Sequence, residues 1–164
     1  MSSYKPPLDD IRFALFDMLD SEATLARLGF ADANRELVDA VLDEAARFTE
    51  TVLAPLNRVG DEVGCKFDPA TGNVTVPPGF KQAFDQFVEG GWTGLTNAPE
   101  HGGQGMPATL GGVLTEMVDS ANLASATVTI TNPQDGAAEV LAATSCAGLT
   151  VTPENAPRIG VNIG

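Results

Sequence analysis

The clearest hydrophobic pattern in the chain is helical and covers residues 32–58. Apolar side chains recur there every three to four positions, while charged side chains fill much of the opposite face. The positions of the apolar stripe include Leu37, Val38, Val41, Leu42, Ala45, Phe48, Val52 and Leu56. Asp32 or Asn34 can cap the start, and Pro55 is expected to kink or end the helix. The pattern predicts an amphipathic helix with one face in a core.

Three other segments carry the same period. Residues 8–19 place Ile11, Leu15, Met18 and Leu19 on one stripe, with two aspartates in the first turn. Residues 80–90 place three phenylalanines on one stripe and end at a Gly-Gly pair. A further helix is predicted over 108–121. Together these segments predict a mainly α fold, an orthogonal or bundle-like domain over residues 4–122.

Two regions lack a long helical period. Residues 59–79 are expected to be irregular, with a small hairpin over 66–76 that turns at Ala70–Asn73. In the tail, Thr alternates with Val and Ile over 126–131, which predicts a strand. Residues 136–144 favour a short helix, and 148–152 resemble another strand. The tail is therefore expected to be mixed or poorly ordered.

Charged residues are distributed unevenly along the chain. Its 164 residues hold 22 acidic and 9 basic side chains, a formal net charge of −13. This balance argues against nucleic acid and anionic membranes as partners, since both require clustered Lys and Arg. Residues 1–122 contain 19 of the acids, 8 of the bases and all ten aromatics. This distribution predicts two regions of different character, residues 1–122 and 123–164.

The cysteines and the search for targeting signals add little to the predicted fold and regions. Cys65 and Cys146 lie far apart and outside any CxxC motif, so two reduced thiols are favoured over a disulfide. The N-terminus lacks the basic and apolar regions of a signal peptide, and no stretch approaches the ~20 apolar residues of a membrane span. The expectation is a soluble, cytoplasmic protein.

The highest concentration of candidate ligand-binding and catalytic residues lies in the segment 99–107, Pro-Glu-His-Gly-Gly-Gln-Gly-Met-Pro. Its glycines allow close approach of the backbone to a ligand, and its N–H groups could meet a phosphate or carbonyl oxygen. It matches neither a P-loop nor a dinucleotide-binding motif, so a tight turn between two helices is the alternative. Trp92 either lines a pocket here or simply packs.

Two side chains of that segment can transfer protons. His101, the one histidine of the chain, suits acid–base work near neutral pH, and Glu100 can act as a base. Neither has a neighbouring catalytic partner in the sequence, and a solvated loop residue is the ordinary alternative. The acids over 36–50 are spaced as a solvated helix face, so no metal site is expected.

The order of motifs resembles a known family. A helix with APLN (54–57), a phenylalanine helix leading to GGW (90–92), the segment APEHGGQGMP (98–107) and a helix with TEM (115–117) follow one another as in the N-terminal helical domain of the acyl-CoA dehydrogenases. Residues 4–13 resemble the short N-terminal extension of a branch that includes enzymes of the 3-methylthiopropanoyl-CoA dehydrogenase type. The resemblance ends near residue 123. It implies an N-terminal extension with a short helix (1–31), a helical domain (32–123) and a divergent tail (124–164).

The resemblance implies a flavoprotein oxidoreductase of fatty acid metabolism. Such an enzyme oxidises an acyl-CoA to the 2,3-enoyl-CoA with FAD, and a glutamate removes the α-proton. It also implies that Glu100, Gly102, Gly103 and Gly105 lie at the edge of the acyl-binding pocket, through backbone shape. No segment matches the family's flavin-contacting T-E-P-x-x-G-[ST]-D sequence, and the catalytic glutamate has no counterpart, so no catalytic residue is assigned.

These departures predict a fragment, a truncated product or a reading frame altered near residue 124. The chain is then expected to be inactive alone and not to bind FAD alone. The alternative is a non-catalytic helical module that binds a partner through helices 8–19 and 108–121. That partner would be a companion dehydrogenase subunit or a second copy of the chain. A poorly folded remnant is a third possibility.

Overall fold

The computed structural model describes residues 4–123, 127–131 and 138–142, and most of this part is helical. The helices are α1 (Leu8–Arg12), α2 (Ser21–Arg27), α3 (Arg35–Phe48), α4 (Ala54–Val63), α5 (Phe80–Glu89) and α6 (Ala108–Ala121). The strands are β1 (Lys66–Phe67), β2 (Val74–Thr75), β3 (Thr127–Thr131) and β4 (Ala138–Ala142). The predicted mainly α class with a small hairpin is confirmed.

The predicted N-terminal helix forms as α1, which continues into a π-helical stretch, Phe13–Met18. Ile11 and Leu15 are buried in the same core as residues of α3 and α6, because the apolar stripe faces those helices. Phe13 lies outside the core and is 57% exposed. The first turn carries Asp9 and Asp10, which suit the positive end of the helix dipole.

Helix α2 has no counterpart among the predicted elements. Its seven residues bury only Leu25, so they contain no repeated apolar stripe from which a period could be recognised. The helix starts after Asp20, a non-glycine residue with a φ of 45°. Aspartate tolerates this left-handed conformation better than most residues, which permits the sharp change of direction after the first helix.

The predicted helix over 32–58 is real but longer, and it passes through Pro55. It begins at Arg35, where the Asn34 side chain caps it by accepting a hydrogen bond from the Leu37 N–H at 2.9 Å. A π-helical stretch, Thr49–Leu53, then leads into α4, which ends at Val63. Pro55 falls in the first turn of α4, a position where a missing N–H is tolerated. Of the two predictions for Pro55, a kink or an end, the end is therefore wrong, and so is the prediction of an irregular backbone over 59–63.

The predicted hairpin is confirmed. Strands β1 and β2 pair antiparallel, with Phe67 opposite Val74 and Lys66 opposite Thr75. The turn between them is closed by the Asp68 N–H, which donates to the Asn73 carbonyl at 2.8 Å. The Asp68 carboxylate accepts hydrogen bonds from the Thr71 hydroxyl and the Ala70 N–H, and these bonds lower the pKa of Asp68.

The core contains two neighbouring clusters. The main cluster joins the N-terminal helix, α3, α6 and one loop residue: Ile11, Leu15, Val38, Leu42, Ala45, Leu95, Leu110, Leu114 and Met117. The second cluster, Phe48, Leu53, Ala83 and Ala121, lies where α5 and the π-helical stretch meet the end of α6. Phe48 also contacts Phe87, with ring centroids 5.8 Å apart. Helices α5 and α6 therefore form where their apolar stripes predict them.

Strand β3 confirms the strand predicted over 126–131, but the helix predicted over 136–144 is wrong. Residues 138–142 form β4, which pairs antiparallel with β3 from Thr127 opposite Ala142 to Thr131 opposite Ala138. A nine-residue segment nucleates a helix poorly, whereas the adjacent strand supplies hydrogen-bond partners for its backbone. Cys146 and the strand predicted over 148–152 lie outside the described residues.

Within the described part of the chain, no helix combines the length and apolar character needed to cross a membrane.

Candidate functional site

The glycine-rich connection between α5 and α6 is a folded loop that bonds back on itself. Residues 94–97 run beside residues 103–106, and three backbone hydrogen bonds of 2.9 Å join them. The N–H groups of Gln104, Gly105 and Met106 donate to the carbonyls of Gly94, Asn97 and Leu95 respectively. We call residues 94–106 the glycine loop. Its shape is fixed by the backbone, as in a compact Ω-type loop.

Gly103 occupies the tightest position in the glycine loop. A Cβ atom at this residue would lie 2.1 Å from the carbonyl oxygen of Asn97. Because the obstructing atom belongs to the backbone, no side-chain rotation can relieve the contact. Gly102 and Gly105 serve a different need, since their φ angles of 78° and 65° lie in the left-handed region that glycine adopts freely.

The N–H groups of the three predicted pocket-edge glycines are already in use as donors. Gly102, Gly103 and Gly105 donate their N–H groups to the carbonyls of Pro99, Ala98 and Asn97 at distances of 2.9, 3.1 and 2.9 Å. These N–H groups therefore do not offer the phosphate or carbonyl contact considered from the sequence. Their part at a pocket edge, through backbone shape, remains a prediction.

Glu100 and His101 lie together on a 3₁₀ turn, Pro99–His101, and both are exposed. The structure thus places the four predicted pocket-edge residues, Glu100, Gly102, Gly103 and Gly105, within one short stretch of loop. Among the described residues, no group of three or more His, Cys, Asp or Glu side chains could hold a metal ion. This part of the site offers a solvated carboxylate and imidazole beside a rigid backbone.

Two contacts that the sequence did not reveal anchor the loop. The Gln104 side chain donates to the Gly91 carbonyl at 2.9 Å and so ties the loop to the end of α5. Thr96 lies against Gly111 of α6, where a Cβ would come within 2.7 Å of its methyl group. Trp92 is half-buried against the main core, which agrees with a packing role. Gly111 was the available signal in the sequence, since a glycine at this position lets Thr96 of the loop approach α6 closely.

Two ionisable side chains, Asp119 on α6 and Tyr4 in contact with α6, have raised pKa values. Asp119 is half-buried, and burial raises the pKa of its carboxyl group. The Tyr4 hydroxyl donates to the Met117 carbonyl at 3.1 Å. Burial, with the nearby charge of Glu116, raises the pKa of Tyr4, although a hydrogen bond with Ser120 lowers it in part. The N-terminal segment is thereby fastened to the middle of α6.

The fold and this loop define a mainly helical domain with a structured glycine-rich connection, and three curated relatives identify its class. The chain is 36% identical over 121 residues to a 3-methylmercaptopropionyl-CoA dehydrogenase of Ruegeria pomeroyi. It is 31% identical over 122 residues to the broad-specificity linear acyl-CoA dehydrogenase FadE5 of Mycobacterium tuberculosis. Each match covers 74% of this chain and 20% of the relative.

A third relative is a butyryl-CoA dehydrogenase of Syntrophomonas wolfei, 33% identical over 91 residues, or 54% of this chain and 15% of that protein. No family model matches the chain. Over the matched three quarters of its length, the chain belongs to the acyl-CoA dehydrogenase family. It spans about a fifth of the length of the curated relatives that it matches most extensively.

Proposed function

We propose that the chain supplies the helical domain on the acyl side of a flavin-dependent acyl-CoA dehydrogenase. The intact enzyme would oxidise an acyl-CoA to the 2,3-enoyl-CoA. The observation that carries this proposal is the 36% identity to a 3-methylmercaptopropionyl-CoA dehydrogenase over 121 residues. In this proposal the glycine loop, with Glu100, Gly102, Gly103 and Gly105, forms one edge of the acyl pocket. Its contribution is a rigid backbone surface.

The glycines of the glycine loop offer no free donors for FAD, since Gly102, Gly103 and Gly105 already donate their N–H groups. A flavin dinucleotide carries a diphosphate, which requires free N–H donors or cationic side chains. The glycine N–H groups already donate within the loop, and four of the described cations, Arg12, Arg47, Arg58 and Lys81, are paired with carboxylates. Because the sequence also has no match to the family's flavin-contacting segment, we propose that this chain does not bind the flavin or catalyse by itself, and we derive no catalytic step through FAD.

A chimera tests the family role directly. Residues 4–123 would replace the matching segment of the Ruegeria relative, and the flavin spectrum and acyl-CoA oxidation of the purified chimera would be measured. We expect bound FAD and retained turnover. A second chimera with Gly103→Ala should lose turnover because the loop can no longer close on Asn97. A first chimera that folds and binds FAD but leaves acyl-CoA unoxidised would contradict the proposal.

The isolated chain provides the complementary measurement. Mixed with excess FAD and then desalted, it should show no flavin absorption, and it should not reduce an artificial electron acceptor with an acyl-CoA. The Ruegeria relative treated in parallel serves as the positive control. Flavin retained by this chain in a one-to-one ratio would overturn the proposal that it does not bind FAD by itself.

A second candidate function is a non-catalytic module that binds a partner, and exposed apolar side chains favour it. Met18, Leu19 and Leu28 are each more than 60% exposed, near the exposed Phe13 in the chain. Helix α6 contributes little to such a surface, because its apolar residues Leu110, Leu114 and Met117 are buried in the core. In this second proposal, the partner-binding surface is therefore confined to the N-terminal part of the chain that contains α1 and α2.

Light scattering and native mass spectrometry test the second candidate. A defined homo-oligomer, or a defined complex with a companion dehydrogenase subunit, is the expected result. The substitution Leu28→Ser should weaken that assembly without unfolding the chain, because the side chain is already exposed. A compact monomer at high concentration, with no complex after mixing with the subunit, would argue against this function.

A further inference from the structure

A buried amide lies at the seam where the end of α6 meets the π-helical stretch Thr49–Leu53. Asn122 follows α6 directly and is 0% exposed. Its Nδ2 donates to the Leu53 carbonyl at 3.0 Å, and its backbone N–H donates to the Val118 carbonyl at 2.9 Å. The Oδ1 atom is also buried, yet it accepts no hydrogen bond from the described residues.

The orientation of this amide is fixed by its own contacts. A flip of the side chain would place Oδ1 against the Leu53 carbonyl, so that two acceptors faced each other, and the existing bond would be lost. A buried amide oxygen without a donor is unfavourable, because it has given up hydration without replacement. Since no donor among residues 4–123 reaches Oδ1, this atom needs one from another source while Nδ2 keeps its partner.

Two hydroxyl groups near the seam, those of Thr49 and Tyr4, have no proton to spare. The Thr49 hydroxyl, also 0% exposed, donates to the carbonyls of Ala45 and Ala46 at 2.9 and 3.0 Å. The Tyr4 hydroxyl, which reaches α6, donates to the Met117 carbonyl. Each hydroxyl carries one proton, and each proton already has an acceptor.

We propose that Asn122 Oδ1 forms one wall of a site for a single internal water molecule at this seam. A water supplies two donors, one for Oδ1 and one for a backbone carbonyl nearby, and it is small enough to be enclosed at a fully buried position. The bound water would join the end of α6 to the π-helical stretch and so hold that stretch in its register. This inference is independent of the proposed enzymatic role.

A crystal structure of the full chain at about 1.8 Å resolution tests the site. We expect a density peak at the ordinary O–H···O distance, about 2.7–3.0 Å from Oδ1, with a second polar protein atom within reach. In solution, the side-chain NH₂ of Asn122 should give nuclear Overhauser contacts to a long-lived water. A dry Oδ1, or a protein N–H or O–H bonded to it, would overturn the proposal.

Two variants distinguish a specific water-binding site at Asn122 from nonspecific hydration. Asn122→Leu removes both amide atoms and should abolish the water peak, whereas Asn57→Leu, at an exposed residue of α4, should leave it unchanged. Should Asn122→Leu fail to fold, the wild-type nuclear Overhauser measurement still decides the question. A peak that persists in Asn122→Leu at the same position would show that Oδ1 does not hold the water, and the proposal would fail.

Discussion

The N-terminal segment (residues 4–18) and the glycine loop (94–106) both pack on the main core, but they are fixed in different ways. The N-terminal segment is held by side chains: Ile11 and Leu15 enter the core, and the Arg35 guanidinium lies 4.5 Å from the centre of the Phe16 ring. The glycine loop is held by backbone hydrogen bonds and by the close contact of Gly103 with Asn97.

This difference determines which substitutions each region tolerates. In the N-terminal segment, stability depends on the volume and charge of particular side chains, and an exposed residue can be replaced freely. In the glycine loop, most side chains are exposed, and the sensitive feature is the absence of a Cβ atom. Removing atoms should therefore damage the first region, while adding atoms should damage the second.

The largest effect is expected for Leu15→Ala. Leu15 is buried in the main core, so its truncation should destabilise the chain by about 3 kcal/mol through lost burial and a residual cavity. Denaturant unfolding followed by circular dichroism measures this loss. Phe13→Ala is the matched control, since Phe13 is exposed and should cost less than about 0.5 kcal/mol. Equal losses would show that the segment does not dock on the core as described.

Next in size is Gly103→Ala, which adds one methyl group to the glycine loop. The new Cβ would collide with the Asn97 carbonyl, so the two halves of the loop must separate, at a cost of about 2 kcal/mol. Gly102→Ala is the control, because it meets no atom within 4 Å and adds only left-handed backbone strain, about 1 kcal/mol. The fluorescence of Trp92, the single tryptophan, should report the loop opening in the first variant only.

A third pair of variants examines where the glycine loop meets α6. Gly111→Ala would bring a Cβ within 2.7 Å of the Thr96 methyl, whereas the same change at Gly112 points into open space. Gly112→Ala should stabilise the helix by roughly 0.5–1 kcal/mol through its higher helix propensity. Gly111→Ala should stabilise the chain less than Gly112→Ala does, or should destabilise it, because of the contact with Thr96. Thermal unfolding of both variants checks the difference, and identical shifts would contradict the contact with Thr96.

Most of the helical fold could be predicted because its apolar side chains recur with the helical period. Helices α3, α5 and α6 follow this rule, and the hairpin follows from its turn residues. The passage through Pro55 could not be predicted, since the π-helical stretch that places proline in a first turn is set by packing against α6. Helix α2 was missed because a single buried residue, Leu25, gives no period.

The candidate site was predictable only in part. Clustered glycines marked the loop between α5 and α6, but glycine in a sequence does not reveal what the missing side chain avoids. The group that Gly103 approaches is the backbone carbonyl of Asn97, six residues earlier and in no recognisable motif, and the role of Gln104 depends on where Gly91 lies. Those contacts arise from the folded shape of the loop.

A smaller effect is expected from the charges that fasten the N-terminal segment. Arg12 pairs through Nε with Asp39 at 2.9 Å and through Nη2 with Asp43 at 2.7 Å, contacts that raise its pKa. All three side chains are partly or largely exposed, so a double-mutant cycle of Arg12→Ala and Asp39→Ala should give a coupling of about 0.5 kcal/mol. Added salt should reduce it. A coupling unchanged in 1 M salt would indicate a buried pair instead.

The smallest effect concerns pH and lies on α6, the helix that contacts both regions. Burial raises the pKa of Asp119, so the folded chain retains this proton at pH values where the unfolded chain has released it. Stability from this group is therefore complete below the ordinary aspartate pKa of about 4 and declines as pH rises through the raised value. Asp119→Asn should abolish that decline and leave the variant more stable than the wild type at neutral pH. Thermal unfolding from pH 3 to 8 measures both curves, and parallel curves would show that Asp119 is fully solvated.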